Sequence, residues 1–315
     1  MNLIDNHLVG IIGQGFVGSS LTTVLSECGA TVYAYDKAGK YAPEASSAND
    51  QMPANIVELV KALEQHGAFV GIVFVCVPTP MTADGSADIS VVDAVLHELA
   101  NAKTGELTVV LKSTVPPGSV ACWNAKLNSN GLYVVFNPEF LTEANALNDM
   151  RNQTRIVLGG PDKQVTQVAQ LYASLFPLTP ILVASNSTTA EMVKYMTNIH
   201  LAVRVILSCE LQQICQGLQQ AGYDVDYQQA VNISMADARL GNSHMQVPGA
   251  NGIAGARGHC FPKDMNALIA LAKQVGIEPT VLEAAWQTNL KIVPPEYRDW
   301  EQMIGRAVSE RSKYA

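Results

Sequence analysis

The stretch LVGIIGQGFVG, residues 8–18, decides how the first half of this chain folds. Its first five residues predict a buried strand, and the spacing Gly-x-Gly-x-x-Gly then opens an amphipathic helix. In this order the first glycine permits a tight turn, the second lets a pyrophosphate approach the backbone, and the third lets helix and strand pack closely. The phosphates would lie at the helix N-terminus, where free N–H groups and the helix dipole favour anions. The residues expected at this dinucleotide site are Gly13, Gly15, Phe16, Val17 and Gly18.

A carboxylate follows the second predicted strand, 31–35. Asp36 lies 18 residues after Gly18, at a position where a carboxylate can hydrogen-bond a ribose diol. It would repel the additional phosphate of NADP, although Lys37 and Lys40 offset part of that repulsion. We therefore expect NAD as the cofactor, with Asp36 and Lys37 beside it. The alternative interpretation is a glycine-rich structural turn that binds nothing.

Short apolar runs alternate with helical patterns over the first part of the chain, which is typical of a parallel sheet covered by helices on both faces. A long helical pattern follows at 188–221, and shorter ones at 227–236, 265–275 and 280–290. The fold class is therefore predicted as α/β, a Rossmann-like doubly wound parallel sheet followed by a long helix and a small all-α domain. The expected boundaries are 1–185, 186–290 and 291–315. The predicted strands are 8–12, 31–35, 71–77, 107–112, 132–136, 155–159 and 181–183.

Composition excludes several classes of function. The chain has 20 Lys and Arg against 28 Asp and Glu, a net charge of −8, which argues against a broad nucleic-acid-binding face. Its longest apolar run, 71–78, has the length of a strand and is too short for a membrane helix. The N-terminus lacks the basic start of a signal peptide, so we expect a soluble cytoplasmic protein. The last 25 residues carry nine charges and are predicted to form a solvated tail or a peripheral helix.

Five further motifs occur in order along the chain. They read VCVPTP at 75–80, KSTVPPG at 112–118, NPEFLTE at 137–143, EMVKYMTN at 191–198 and GHCFPKD at 258–264. Together they resemble the UDP-glucose/GDP-mannose dehydrogenase family over nearly the whole chain. The resemblance implies oxidation of the primary alcohol of a nucleotide sugar to a carboxylate, with two NAD and a thiol-bound intermediate. UDP-glucose to UDP-glucuronate is the expected reaction.

Cys260 suits this chemistry on physical grounds. Oxidation of an alcohol to an acid requires two hydride transfers, and a thiol supplies the covalent adduct that the second one needs. Pro262 fits the first turn of a helix, whose N-terminus together with Lys263 would lower the pKa of the thiol. The other five cysteines are interpreted as structural thiols, and an inert buried thiol is the alternative for Cys260. The six histidines form no metal-ligand set, so no metal is expected.

Several polar residues complete the expected catalytic set. Lys194 and Asn198 are four residues apart, so they share one helix face and can stabilise an oxyanion. The resemblance assigns Asp264 to orienting water, and Glu143 and Thr114 to handling water and protons during thioester hydrolysis. Glu139 is either a second carboxylate for proton transfer or a structural hydrogen-bond acceptor.

The resemblance also implies binding residues. Pro78, Thr79, Thr114 and Glu143 are expected at the cofactor. Arg239 is expected to reach the sugar or its phosphate. The residues expected at the substrate are Glu139, Phe140, Leu141, Lys194, Asn198, Arg239 and Gly255.

The chain departs from the family pattern in two ways. Arg257 stands where the family has a glycine, and family members continue beyond this length into a second nucleotide-binding domain.

The alternative functions are that of a β-hydroxyacid dehydrogenase, which needs no cysteine, and that of a truncated non-catalytic NAD-binding subunit. The apolar face of the long helix predicts a homodimer with a shared substrate site.

Overall fold

The computed structural model describes residues 7–40, 50–65, 71–241, 243–249 and 252–310. The chain divides into two compact units, which are described separately below. The first comprises Met1–Thr79 and Ile89–Lys194, and the second comprises Pro80–Asp88 and Tyr195–Ala315. The division falls within the long helix, and a short loop from the first half of the sequence belongs to the second unit.

The first unit is built on a parallel sheet. Five strands pair in the order β2-β1-β3-β4-β5, and a further parallel pair is formed by β6 and β7. These strands are almost entirely apolar, and all except the largely exposed β7 are mostly buried, as expected when helices cover both faces. The strands are β1 (Leu8–Ile12), β2 (Thr31–Tyr35), β3 (Gly71–Val75), β4 (Leu107–Leu111), β5 (Leu132–Phe136), β6 (Ile156–Leu158) and β7 (Ile181–Val183).

Helices of the first unit contribute to two separate hydrophobic cores. Leu59, Leu96 and Trp123 belong to one core, and Leu21 and Val168 belong to the other. This arrangement confirms the predicted doubly wound sheet. The helices are α1 (Phe16–Glu27), α2 (Ile56–Gln65), α3 (Ser90–Ala102), α4 (Ser119–Leu127), α5 (Ala146–Arg151), α6 (Asp162–Leu175) and the start of α7 (Ser187–Gln220).

The second unit is helical around its own core. Helix α7 has 34 residues, which agrees with the predicted long helix to within one residue at each end. Its buried Ile199 and Ile206 belong to the same core as Met265 and Ile269 of α9. The other helices of this unit are α8 (Tyr227–Ser234), α9 (Cys260–Gln274) and α10 (Thr280–Ile292).

The C-terminal segment, defined here as residues 293–309, differs from the predicted tail. It contains two 3-10 turns, and Trp300 is only 2% exposed in a core with Val293 and Ala307. Its backbone also forms a bridge from Val308 to Met81. The charges of this segment lie around a buried aromatic anchor, which charge density alone does not reveal. Residues 311–315 of the predicted tail lie outside the described ranges.

Across these same ranges, no helix is both apolar enough and long enough to span a membrane.

Candidate active site

The three glycines of the β1–α1 turn have different steric environments. Gly13 has a φ of +90°, and a Cβ there would lie 2.6 Å from the Cys76 carbonyl oxygen. A Cβ on Gly18 would overlap the Gly13 carbonyl oxygen, whereas nothing lies within 4 Å of a Cβ on Gly15. The first and third glycines therefore allow the turn and the close packing, and the exposed Gly15 leaves room for a pyrophosphate. Phe16 and Val17, both partly buried, begin α1 beside it.

Asp36 stands directly after β2 and connects to this turn. Its Oδ2 accepts the Gln14 N–H at 2.7 Å, and its Oδ1 accepts the Ala38 N–H at 2.8 Å. A carboxylate has about four lone-pair sites, so it retains capacity for the two hydroxyls of a ribose. Lys37 is exposed next to it. The turn and this carboxylate together fit a dinucleotide.

The chain after β3 and β4 is joined by side-chain bonds. Thr79 Oγ1 donates to the Thr114 carbonyl oxygen at 2.7 Å, and Ser113 Oγ donates to the Val77 carbonyl oxygen at 2.6 Å. Both threonines are buried, whereas Pro78 is exposed. Two of the expected cofactor residues, Thr79 and Thr114, are therefore neighbours at the carboxyl edge of the sheet.

Glu139 and Lys194 form a buried ion pair. Lys194 Nζ donates to Glu139 Oε1 at 2.8 Å and to the Glu139 carbonyl oxygen at 2.6 Å, while the Leu141 N–H donates to Oε2. Burial alone would raise the pKa of the Glu139 carboxyl, but the charge and hydrogen bond of Lys194 hold it below its ordinary value. The Phe140 ring lies between two cations, with Lys194 Nζ at 5.5 Å and Arg155 Cζ at 4.0 Å from its centroid.

A second buried lysine belongs to this region and was not predicted. Lys112 Nζ donates to Asn137 Oδ1 at 2.9 Å, and Tyr172 donates to the same oxygen at 2.6 Å. Burial lowers the pKa of Lys112 to about 8, against the opposing charges of Cys76 and Glu139. Its position at the start of the KSTVPPG motif is visible in the sequence, but its partner comes from the neighbouring strand.

Glu191 is a further buried group that was not predicted as a site residue. Its carboxylate accepts the N–H groups of Gly118 and Val120 at 2.6 and 2.8 Å, at the first turn of α4. Burial raises the pKa of this carboxyl to about 7, although both N–H groups favour its ionised form. The signal in the sequence is its spacing of three and seven residues from Lys194 and Asn198 on α7.

In the second unit, Cys260 is the first residue of α9 and is partly buried. Asp264 lies four residues later on the same face of the helix. Its Oδ2 accepts from Asn198 Nδ2 at 2.6 Å, and its Oδ1 pairs with Lys263 Nζ at 2.5 Å. The structure thus assembles Asn198, Lys263 and Asp264 beside the start of α9. Lys263 forms an ion pair with this carboxylate, so its positive charge does not act on the Cys260 thiol alone.

The remaining expected residues lie in different settings. Glu143 is exposed at a 3-10 turn of the first unit. Gly255 has a φ of +95°, and a Cβ there would overlap the Val293 side chain. The Arg239 side chain is 89% exposed and pairs with Asp237 at 2.5 Å. Within the described part of the chain, no three His, Cys, Asp or Glu side chains are arranged to hold a metal ion.

The parallel sheet, the glycine turn after β1 and the carboxylate after β2 define a dinucleotide-binding protein of the Rossmann class. Residues 7–176 match the NAD-binding domain of the UDP-glucose/GDP-mannose dehydrogenase family, and residues 188–291 match its central domain. The chain belongs to this family. The family resemblance and the NAD cofactor predicted from the sequence are thereby confirmed.

Individual relatives agree with this assignment. The UDP-glucose 6-dehydrogenase AglM of Haloferax volcanii is 30% identical, over 89% of this chain and 69% of the relative. A UDP-glucose dehydrogenase structure from Pyrobaculum islandicum has a TM-score of 0.78 at 27% identity, covering 92% of this chain and 69% of that one. A GDP-mannose dehydrogenase structure from Pseudomonas aeruginosa has a TM-score of 0.57 at 25% identity, covering 90% and 68%. The chain thus spans about two thirds of the length of these relatives.

Proposed function

We propose that this chain catalyses the NAD-dependent oxidation of the primary alcohol of a nucleotide sugar to a carboxylate, with UDP-glucose as the substrate. The observation that carries the proposal is Cys260 at the start of α9, with Asp264 held on the same helix face by Asn198 and Lys263. When bound, NAD supplies the oxidant, because one NAD accepts one hydride in each of the two oxidations.

The thiol accounts for the second oxidation. After the first hydride transfer, the Cys260 sulfur adds to the aldehyde carbon and the oxygen takes a proton, which gives a thiohemiacetal. Loss of the second hydride and that proton converts the adduct to a thioester. Water then attacks the carbonyl carbon, the carbon–sulfur bond breaks, and the sulfur recovers a proton as the acid leaves.

The polar residues have roles that follow from their charges. Lys194 and Asn198 are proposed to stabilise the oxygen that becomes negative, since a cation and an amide N–H are the donors that such an oxygen needs. Asp264 is proposed to orient the hydrolytic water, with Glu143 and Thr114 moving its proton. Glu139 accepts a hydrogen bond from Lys194 Nζ and so holds that side chain in place. Arg239 and Gly255 are proposed at the sugar and its phosphates.

The test compares two serine variants. Wild type should form two NADH per UDP-glucose consumed and release UDP-glucuronate. GDP-mannose is assayed separately as the alternative substrate. Cys260→Ser should lose the acid product, whereas Cys122→Ser, at an exposed thiol of α4, should behave as wild type. The proposal fails if Cys260→Ser makes the acid at an undiminished rate. Preference for GDP-mannose would reject UDP-glucose and leave the reaction type standing.

We also propose a homodimer formed through the second half of α7. Leu207, Leu211, Ile214 and Leu218 are 50, 42, 55 and 39% exposed and recur at helical spacing, so they form one apolar stripe. Across a two-fold axis, the stripe of one subunit can pack against the same stripe of a second copy. Because each of these side chains is already about half buried, its burial in a dimer would contribute about 1 kcal/mol, roughly half of the value for a fully exposed side chain.

Light scattering tests the dimer directly. Leu211→Glu should give a monomer, whereas Val281→Glu, on an exposed apolar residue of α10, should leave the mass unchanged. A wild-type monomer with full activity would reject the proposal. A dimer further allows Arg239 to serve the neighbouring subunit, and mixed Arg239→Ala and Cys260→Ala chains would then recover activity.

We place the enzyme in the cytoplasm, where reducing conditions keep the Cys260 thiol available.

A further inference from the structure

The cysteine loop, defined here as residues 255–259, is tied down along the backbone that leads into Cys260. The Gly255 N–H donates to Cys209 Sγ at 3.3 Å. The Ala256 N–H donates to Asn289 Oδ1 at 2.8 Å, and Asn289 Nδ2 donates back to the Ala256 carbonyl oxygen at 3.0 Å. Three backbone groups near the start of the loop are therefore fixed by α7 and α10.

The remaining part of the loop is held by one carboxylate of the C-terminal segment. Asp299 Oδ1 accepts the Gly258 N–H at 3.1 Å, two residues before Cys260. Asp299 Oδ2 pairs with Arg257 Nη2 at 3.1 Å, while Arg257 Nε donates to the Tyr297 carbonyl oxygen at 2.8 Å. Asp299 therefore contacts both the backbone and a side chain of the cysteine loop.

Asp299 is itself attached to a fixed support. Its Oδ1 also accepts the N–H of Trp300, whose ring is buried in the core of the second unit. The preceding Arg298 donates to the carbonyl oxygens of Val293 and Leu290 at 3.1 and 2.9 Å, at the end of α10. A movement of Asp299 would require the buried Trp300 to move with it.

Stability alone does not account for the Arg257–Asp299 pair. The two side chains are 11 and 31% exposed, so water partly screens the pair and reduces its contribution to folding. Arg257 Nη1 is buried, and in the part of the chain that the structure describes it has no hydrogen-bond partner, which costs free energy. The arginine is better explained by a role in holding the cysteine loop against the C-terminal segment.

We propose that Asp299 and Arg257 are positioning residues for Cys260, which fix the backbone of the cysteine loop so that the sulfur at the start of α9 occupies one place. The inference rests on the proposed function, in which Cys260 forms the covalent adduct. It also accounts for the large side chain at position 257, because the guanidinium joins the loop to the C-terminal segment.

The experiment uses the full chain and separates hydrogen bonding from charge. Asp299→Ala removes the acceptor for Gly258, whereas Asp299→Asn can keep that bond and loses the ion pair. A displacement of about 1 Å in a reacting atom can cost on the order of 10²-fold in rate. We expect kcat for UDP-glucose to fall by that order in Asp299→Ala and to be largely recovered in Asp299→Asn. The KM for NAD should not change, since the glycine turn belongs to the other unit.

A second measurement does not depend on the sugar reaction. Iodoacetamide labelling of Cys260, followed by peptide mass spectrometry without substrate, should change in rate in Asp299→Ala, because the sulfur is no longer held in one place. The rate should return towards wild type in Asp299→Asn. The exposed Cys122 acts as the internal reference, because its labelling should stay constant while the protein is folded. Arg257→Met provides an independent variant, because it removes the bond to the Tyr297 carbonyl oxygen as well as the ion pair. It should also change the rate of Cys260 labelling, and it keeps the test available where Asp299→Ala does not fold.

Glu27→Gln is the matched control, since it breaks an acid–arginine pair with Arg151 in the first unit. It should leave both readouts unchanged. Unchanged Cys260 labelling in both Asp299→Ala and Arg257→Met would overturn the inference. A wild-type protein without sugar oxidation would reject the proposed function alone, because the labelling experiment would still decide the positioning role.

Discussion

Substitution of Glu139 tests whether the buried ion pair holds the site together. Glu139→Gln leaves the Lys194 ammonium buried without a counter-charge, although its bond to the carbonyl oxygen of residue 139 can persist. At 2.8 Å and an effective dielectric constant of about 20, the lost attraction is roughly 6 kcal/mol. The desolvation of both ions offsets part of it in the folded protein. Breaking one side of a buried pair is measured at about 3–5 kcal/mol, which is the loss expected here.

The assay is urea denaturation at pH 7, with hydrogen exchange of the β5 amides as a local readout of the first unit. Glu27→Gln is the control, because the Arg151–Glu27 side chains are 44 and 36% exposed and such pairs contribute about 1 kcal/mol or less. The double variant Glu139→Gln with Lys194→Met should lose less than Glu139→Gln alone, since no buried charge is left over. A loss for Glu139→Gln no larger than for Glu27→Gln would refute the reasoning.

The same pair makes a pH prediction whose sign follows from the lowered pKa of Glu139. The folded pKa lies below the ordinary value of 4.5, so the folded state binds fewer protons between those two values. The contribution of Glu139 is therefore present above pH 4.5 and is lost as the pH falls through the folded value. The stability difference between wild type and Glu139→Gln should shrink on acidification over that range. A difference that stays constant would contradict this linkage.

Four other variants test three features of the first unit. Burial raises the pKa of Glu191 to about 7, so the folded state binds more protons than the unfolded state between pH 4.5 and 7. The stability of wild type relative to Glu191→Gln should therefore fall as the pH rises through that window, and a stability difference that does not change with pH would contradict this. Gly18→Ala should lower the melting temperature, because its Cβ would overlap the Gly13 carbonyl oxygen. Gly15→Ala should keep the melting temperature and weaken NAD binding measured by calorimetry. Equal effects of the two variants would reject the different roles given to these glycines. Asp36→Ala should narrow the preference for NAD over NADP in steady-state rates, and better turnover of wild type with NADP would reject NAD selectivity.

The sheet could be predicted from the sequence because its signal is local. Strands β1, β2, β5 and β7 begin and end where the apolar runs do. For β1, β2 and β5 the reason is burial, since a strand buried on both faces needs no polar alternation. The glycine turn was equally readable, because its three positions are imposed by sterics within the turn and with its neighbouring strand.

The start of α9 could be predicted only in part. The periodic apolar pattern begins at Met265, whereas the helix begins at Cys260 and includes Pro262 in its first turn. Proline is tolerated there because the N–H groups of the first turn have no intrahelical partner. Periodicity therefore locates the body of a helix better than its functional N-terminus.

The C-terminal segment could not be predicted from its own residues. Its charged residues indicated solvent, but Arg298 and Asp299 bind backbone groups of α10 and of the cysteine loop. The core around Trp300 uses Met81 and Trp286, which are distant in the sequence. Only the tertiary structure brings those partners together, so neither the burial of Trp300 nor the contact with Gly258 has a local signal.

Helix α7 shows how a site can be concealed within an ordinary helical pattern. Glu191, Lys194 and Asn198 are buried at spacings of three and four residues, so they form one polar row on the buried face of the helix. Each of them bonds to a different element: the first turn of α4, the loop after β5, and α9. Burial of unpaired polar groups is costly, so such a row persists only where every member has a partner. The spacing of such a polar row can be read from the sequence, whereas the burial and the partners of its members are set by the tertiary fold.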